Sequence, residues 1–506
     1  MKLSIEDLAT FCKKKGFVYP NSDIYGGIAG FWDYGPYGVE LKNNLKHEWW
    51  KFHVTSRPDI VGIDGSIITH PKVWEASGHV ESFEDPLVED KKTGEKYRAD
   101  HLVEDQLKIP TDGLSPDELW DLIKKNKLKS PKNNPLNPPN KFNLMFSTQV
   151  GPKEDSSAKS YLRPETAQVI FTNFKLVAEN ARLKLPFGIA QMGKAFRNEI
   201  SPRDFLFRCR EFEQMEIEYF VHPDHTLKCP FIKEVLKHKV SVYSAVMQSR
   251  KFKPKIMTME ECLKKKIIKT EWHAYWLAKE LQWFSDLGAS PENFRIRQHV
   301  DTEKSHYALD TWDLEYEFPF GWKELEGIAN RTDFDLKQHI KHSNQDLSLY
   351  DEEKKQKIIP HVVCEPSLGV SRAFLVFLFD AYDDDKERGN IVLHLNPKLA
   401  PVKLGIFPLT NKLKSDAEKV FKDLANDFPS TLDTSGSIGR RYARADELGI
   451  PYCITVDFET KEDKSITLRD RDSTKQIRIK LDDLPTILPQ LLNNTLKFEK
   501  AGKLVK

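Results

Sequence analysis

Apolar and polar residues alternate with period two from Phe187 to Phe220, on both sides of a break at Ser201-Pro202-Arg203-Asp204. That spacing predicts a long antiparallel hairpin. Alternation puts Gln191, Arg197 and Glu199 on one face of the first arm, and Arg208, Arg210, Phe212, Gln214, Glu216 and Glu218 on one face of the second. Phe207, Cys209, Met215, Ile217 and Tyr219 fall on the other face and suit a core. A sheet face with charges of both signs and one aromatic reads as the floor of a site. Arginine forks take phosphate oxygens, a phenylalanine between them stacks on a base, and glutamates suit an ammonium group. A solvated face laced by cross-strand ion pairs fits the same pattern.

Elsewhere the spacing predicts helices over 4–15 (with Ser4 as cap), 39–50, 115–125, 229–250 and 270–287. The turn Pro164-Glu165-Thr166 opens another apolar helix, running to about Ala178 and placing Glu165 where a helix start favours negative charge. Strands are expected over 64–69, ending at Pro71, and over 310–318. From Val362 a strand, a turn with Pro366 and Gly369, and a helix apolar on every side follow in succession. Arg372 lies in the first turn of that buried helix, where a cation opposes the macrodipole and needs an anion: a triphosphate, or Glu365. The segments 103–141 (Lys-, Asn- and Pro-rich) and 251–290 (basic with apolar spacers) read as insertions, the first of them mobile. Past 396–401 the pattern changes to strands over 402–409 and 452–456 with helices over 412–428 and 439–448. This predicts a small α/β domain beginning at 398.

Composition narrows the setting. With 506 residues, 39% hydrophobic and 30% charged, the chain has the make-up of a soluble, multidomain globular protein. Seventy-seven basic residues against 76 acidic ones give a net charge of +1, so nucleic-acid binding would rest on local patches. No stretch is long and apolar enough for a membrane span or a leader. Six scattered cysteines without a CxxC pair argue against a disulfide framework and a cysteine zinc site, and point to a reducing cytoplasm.

The block Phe196-Arg197-Asn198-Glu199, a loop, then Arg208-x-x-x-Phe212 resembles motif 2 of the class II aminoacyl-tRNA synthetases. The run EFEQMEIEYF (Glu211–Phe220) is especially similar to the homodimeric glycyl branch of that family. The resemblance continues through the glycine and aromatic run 24–36, VWEASGH (73–79), RADHL (98–102), RPETAQ (163–168), WKELEGIANRTDFD (322–335) and the motif 3-like CEPSLGVSR (364–372). The helix 39–50 and its following strand are similar to motif 1, which builds the dimer interface in this class. Where the general motif 3 has more glycines, this chain keeps only Gly369 and carries Glu365 and Ser367, as the glycyl branch does.

The resemblance implies an α+β fold. An antiparallel sheet core flanked by helices would span 1–397, and a C-terminal α/β anticodon-binding domain 398–506. It implies ATP and Mg²⁺ with no zinc, and glycine, tRNA(Gly) and a second copy of the chain as partners in the cytoplasm. Arg197 (α-phosphate) and Arg372 (γ-phosphate) are the implied catalytic residues. The implied ATP site adds Asn198, Glu199 (adenine edge), Phe207, Arg208, Cys209, Arg210, Glu211, Phe212 (stacking), Glu324, Leu325, Gly369, Val370 and Ser371. The implied glycine site comprises Arg98, Glu165, Phe212, Glu213, Gln214, Met215, Glu216, Glu365, Pro366, Ser367, Leu368 and Gly369. Glu324 is the implied magnesium carboxylate, with Glu326 as substitute. Arg440, Arg441, Arg444, Arg469 and Arg471 are implied tRNA contacts. Synthetases for alanine-, serine-, threonine- or proline-sized substrates share the general form of these motifs. A non-catalytic accessory subunit would be expected to lose Arg197 and Arg372.

Overall fold

The structure is a computed structural model describing residues 3–109, 111, 114–152, 158–301, 303 and 308–505. Its first helix, α1 (Ile5–Lys15), is capped by the Ser4 hydroxyl and closed by a left-handed Gly16. Helix α2 (Pro36–Trp50) starts on proline, which the first turn tolerates. Strand β1 (Ile60–Ile63) follows, then the helices α3 (Ala99–Leu107) and α4 (Pro116–Lys125), the latter held by a Ser115/Glu118 capping box. Helix α5 (Ala167–Asn180) leads into the hairpin strands β2 (Phe187–Phe196) and β3 (Glu211–Val221). After them come β4 (Lys239–Tyr243), β5 (Lys255–Thr258), α6 (Glu271–Asp286), β6 (Phe294–Gln298), β7 (Asp310–Phe318) and β8 (Gly321–Asn330). Helix α7 (Phe334–Ser343), β9 (His361–Gly369) and α8 (Val370–Ala381) complete this part.

Nine strands form one sheet in the order β5-β4-β6-β7-β8-β9-β3-β2-β1. The run from β6 to β2 is antiparallel throughout, and β4 and β1 join its two ends in parallel. One face carries the apolar core, where Met215, Ile217 and Tyr219 meet α6 and α8 through Trp272, Trp276, Trp283, Phe374 and Phe377. The deep end of the other face is covered by α5 and α7, with Phe171 and Phe174 against Phe187 and Phe220. Its open end is left for the site.

The predicted hairpin is present, with Gln191 opposite Glu216 and Phe196 opposite Glu211. Its loop runs from 197 to 210, longer than the four-residue break. The expected helix over 229–250 is instead a 3₁₀ turn, β4 and a short helix Ala245–Ser249. Val240 and Val242, two apart and both buried, fit a strand between β5 and β6 better than a helix face. The expected strand 64–69 is displaced: β1 lies at 60–63, and only Ile68–Thr69 pairs again, with Lys159–Leu162. Gly62 fixes that placement, because a Cβ there would stand 2.1 Å from the Trp50 ring.

The segment 103–141, expected to be mobile, folds where it is described. It packs Leu102, Val103, Leu119, Ile123 and Val88 together beside a three-stranded sheet; residues 110, 112 and 113 lie outside the described residues. The stretch 251–290 supplies the edge strand β5 and the core helix α6.

Beyond Pro401, β10 (Leu404–Pro408), α9 (Lys414–Leu424), β11 (Ser430–Leu432), α10 (Ile438–Glu447), β12 (Tyr452–Val456), β13 (Ser465–Asp470), β14 (Gln476–Lys480), α11 (Leu484–Leu492) and β15 (Lys503–Leu504) follow. They build a second sheet ordered β11-β10-β12-β13-β14-β15 with its own apolar cluster. Among the described residues no helix is long and apolar enough to cross a membrane.

Gly38 in α2 lies against the chain at Phe17, whose carbonyl oxygen would be 1.8 Å from an added Cβ. Gly38→Ala should therefore lower stability by about 1–3 kcal/mol, seen by calorimetry as an earlier unfolding transition.

Candidate active site

The site grows out of the sheet's register. Glu216 on β3 lies opposite Ser367 on β9, Gln214 opposite Gly369, and Gly327 on β8 flanks Ser367 from the other side. These positions share one face, so Gln214, Ser367, Gly327 and Gly369 floor a cavity of about 340 Å³. Its walls are Phe83, Asp85, Arg98, Arg197, Glu199, Phe207, Arg208, Phe212, Glu324 and Arg372.

Arg197 is held at the hairpin's mouth. Its Nε donates to Pro164 O at 3.1 Å, and its guanidinium lies between the Phe83 and Phe212 rings, 5.4 Å from each centre. Across the cavity, Arg372 rests on the Phe207 ring at 4.6 Å. Its Nη1 donates to Glu324 O at 2.9 Å and lies 3.4 Å from Glu324 Oε1. The anion near Arg372 is thus Glu324, while Glu365 is paired elsewhere. Arg98 is gripped by Asp85 at 2.6 Å and Asp100 at 2.5 Å, and Arg208 reaches Glu199 at 3.3 Å. Burial pushes the Asp85 carboxyl up to about 6 against the pull of Arg98.

Behind the floor sits a buried polar network. Arg331 grips Asp335 with two hydrogen bonds of 2.8 Å and Glu365 with a third of 2.8 Å. Glu216 accepts from Ser367 Oγ at 2.6 Å and Thr166 N at 3.1 Å, and also from the Thr166 hydroxyl. Glu165 faces His79 Nε2 at 3.2 Å and accepts from Gln168 at 3.0 Å. Burial works against its charge, but His79 and Arg331 outweigh that and hold the carboxyl well below the usual range. Under β2, Arg163 donates to Lys194 O at 2.6 Å and Gly65 O at 2.7 Å, filling the space over Gly193, where a Cβ would stand 2.0 Å from Nη2.

Not every sequence-based site residue reaches the cavity. Met215, Leu325, Leu368 and Val370 have their side chains in the apolar core, and Pro366 is buried at an even-numbered β9 position, the parity opposite to Glu365 and Ser367. These five are corrected to backbone contributions at most: strand alternation turns Met215, Leu325, Pro366 and Leu368 from the floor, and Val370, the first residue of α8, packs into the core. Glu213 also points away, held by Lys42 at 2.6 Å and Lys46 at 2.5 Å of α2, and Glu211 pairs with Lys194. Arg210 ties the glycine loop to the hairpin, donating to Glu199 O and Ala29 O at 2.9 Å each. Asn198 donates its backbone N–H to Leu144 O. Cys209 touches the cavity, but burial pushes its thiol up to about 12.

Glu326 is corrected as a metal substitute. A bulge leaves Leu325 without a partner on β7, so Glu324 faces the cavity, half exposed, while Glu326 is fully buried on the opposite face beside Glu280 of α6.

The arginines of the second domain divide. Arg441 gives its donors to the carbonyls of Pro408, Thr434 and Gly436, Arg469 is locked to Asp446, and Arg471 donates to Gly449 O and Leu395 O. All three are buried, which corrects them from RNA contacts to internal ties. Arg440 is exposed, and Arg444 pairs with Asp433 at 2.5 Å.

Sequence reading places none of Arg163, Arg331, Asp335, His79 or Gln168 among the implied site residues. Only the i, i+4 spacing of Arg331 and Asp335 on one short stretch hinted at a pair.

An antiparallel sheet bearing opposed arginines over a polar floor, joined to a second α/β domain, has clear relatives. A model of the class II tRNA synthetase core domain (G, H, P, S and T) matches residues 147–381, and one of the anticodon binding domain matches 403–491. A solved prolyl-tRNA synthetase of Cryptosporidium parvum shares the fold, with a TM-score of 0.55 at 16% identity over 96% of this chain and 74% of that one. The chain is a class II aminoacyl-tRNA synthetase. The glycine–tRNA ligase of Caldanaerobacter subterraneus is 44% identical over 97% of this chain and 99% of its own length. That of Ruminiclostridium cellulolyticum is 46% identical over 95% and 97%. Within the class, this protein belongs to the glycine–tRNA ligase family.

Arg331→Met would leave Asp335 without its counter-charge and Glu365 without its donor. A loss of about 3–5 kcal/mol is expected, measurable as a lowered midpoint in calorimetry at pH 7.

Proposed function

We propose that the cavity activates glycine with ATP and that the adenylate then passes glycine to the terminal ribose of tRNA(Gly). The observation that carries this reading is the pair of arginines, Arg197 and Arg372, lining one cavity whose floor includes Ser367, itself hydrogen-bonded to Glu216 behind it. Glycine's carboxylate is ionised at neutral pH and is already a nucleophile, so the first step needs no general base. Positioning and charge neutralisation carry it.

Adenine stacks on Phe212, with its edge toward Glu199. Arg197 takes the α-phosphate as charge develops there, and Arg372 takes the γ-phosphate. Arg208, freed in part from Glu199, helps at the outer phosphates. A second cavity of about 550 Å³ adjoins the first and shares Arg98, Arg208, Glu324 and Arg372 with it, which leaves room for the polyphosphate. Glu165, Glu216, Glu365 and Ser367 hold the ammonium group, with Arg98 toward the carboxylate. Magnesium binds through oxygen and keeps several waters. A single half-exposed carboxylate, Glu324, at the shared rim of both cavities suits that habit. When bound there, the ion would neutralise polyphosphate charge.

The second domain reads the anticodon, with Arg440 the exposed arginine of the group proposed from sequence. Two copies associate through the region of α2 and the strand Ile68–Thr69, where Ile67 and Ile68 are exposed. The enzyme works in the cytoplasm.

Amino-acid-dependent ATP–pyrophosphate exchange is the direct test. Glycine should support it, and alanine, serine and proline should not; exchange with another amino acid would overturn the specificity, and none at all the activity. Arg372→Ala should cut exchange by about 10²–10³-fold with the circular dichroism spectrum unchanged. Full exchange by that variant would remove Arg372 from the reaction.

A further inference from the structure

Five carboxyl groups converge behind the floor: Glu165, Glu216, Glu218, Glu365 and Asp335. Each is buried or nearly so. The titratable groups that face them are Arg331, directly after β8, His79 of the short helix His79–Ser82, His339 of α7, and Arg163, whose charge reaches Glu216 from just before Pro164. His339 Nε2 donates to Gln168 Oε1 at 2.9 Å, and burial disfavours its charged form.

If every acid were ionised and His79 protonated, five negative charges would meet two directly paired counter-charges, Arg331 and His79, with Arg163 a further cation near Glu216 that gives its donors to backbone carbonyls. Glu365 and Asp335 already share one guanidinium. Glu216 has only neutral donors, the Ser367 and Thr166 hydroxyls and the Thr166 N–H. Glu218, fully buried, meets no donor at either oxygen among the described residues. Uncompensated charge at that depth costs more than taking up protons does.

We propose that the empty pocket holds protons where its substrate's cation will sit. Glu218 remains a neutral carboxylic acid throughout, and Glu365 releases its proton to solvent when an ammonium group arrives. The step balances: the Glu365 O–H bond breaks, the proton leaves to buffer, and the carboxylate pairs with the incoming R–NH₃⁺, whose N–H bonds stay intact. The inference deepens the glycine reading above and rests on it.

The electrostatics agree with the geometry. Burial, and then Glu365, push the Glu218 carboxyl well above the carboxylate range. Burial raises Glu365 to about 8; Glu216 and Glu165 add to that, and Arg331 opposes it. Burial, and then Glu165, raise Glu216. The sign follows. Below about pH 8 the empty site carries one more proton than the occupied site, so rising pH favours binding. Affinity for glycine should climb about tenfold per pH unit well below that point and level off above it. The arrangement also selects for charge, since a 2-hydroxy acid of the same size has no cation to exchange for the proton.

Isothermal calorimetry of glycine binding to the full chain, in phosphate, HEPES and Tris at one pH, reads the proton count directly. Close to one proton released per site at pH 7 is expected, falling toward zero by about pH 9, with affinity rising about tenfold from pH 6 to pH 7. Glycine binding whose heat is independent of buffer overturns the proposal and leaves the glycine reading standing. Absence of any glycine binding overturns both. In a folded Glu365→Gln protein the release should vanish and binding should weaken; release that persists there would assign the proton to another acid and refute the role of Glu365.

Discussion

A charge cannot be buried without a partner, and that constraint shapes both halves of this chain. In the catalytic half the partner is often another side chain: Arg331 with Asp335 and Glu365, Glu165 with His79, Glu213 with two lysines of α2. Where no side chain is available, the backbone serves. Arg163 gives its donors to the carbonyls of Lys194 and Gly65, and Arg441 does the same with Pro408, Thr434 and Gly436. Such arginines are held rigidly because most of their N–H directions are already assigned. The floor above them inherits that rigidity, and a catalytic site that works by positioning depends on it.

Most of the central architecture was legible because period-two alternation is local. The hairpin, β7, β9 with α8, and the helices α1, α2 and α4 could each be read from their own residues. Chemistry on those strands was legible for the same reason, since parity alone separates Gln214 and Glu216 from Met215 and Ile217. Parity fails where the strand does. At Leu325 an extra residue inverts the phase of β8, so Glu324 and Glu326, alike in sequence, face opposite sides of the sheet. Nothing within those residues announces the bulge; it is set by pairing with β7.

Long-range partners were equally silent in the sequence. The basic stretch of the second domain carries five arginines that look alike as letters, yet burial divides them by where Asp446, Asp433 and the carbonyls of neighbouring turns fall. Strand β4, where the sequence pattern predicts helix, differs for a related reason. Its β character comes from the backbones of β5 and β6 on either side of it, both downstream in the chain, and local propensity is a weak prior against such pairing.

The floor's polarity also decides how the proposed pocket would discriminate. One methyl group in an apolar pocket is worth about 1–3 kcal/mol, too little for a strict choice between glycine and alanine. An apolar wall can also yield by rotamer changes. In the proposed glycine subsite the wall would be Glu216, held by Ser367 and Thr166, and Glu365, held by Arg331. To admit a methyl, one of these groups would have to leave hydrogen bonds to a charged partner, each worth about 1.5–3 kcal/mol, and would remain buried and unpaired after moving. Exclusion therefore scales with the stiffness of a charged network instead of the size of a gap. A pocket that binds the smallest amino acid gains its selectivity from the same buried charges that make it costly to fold.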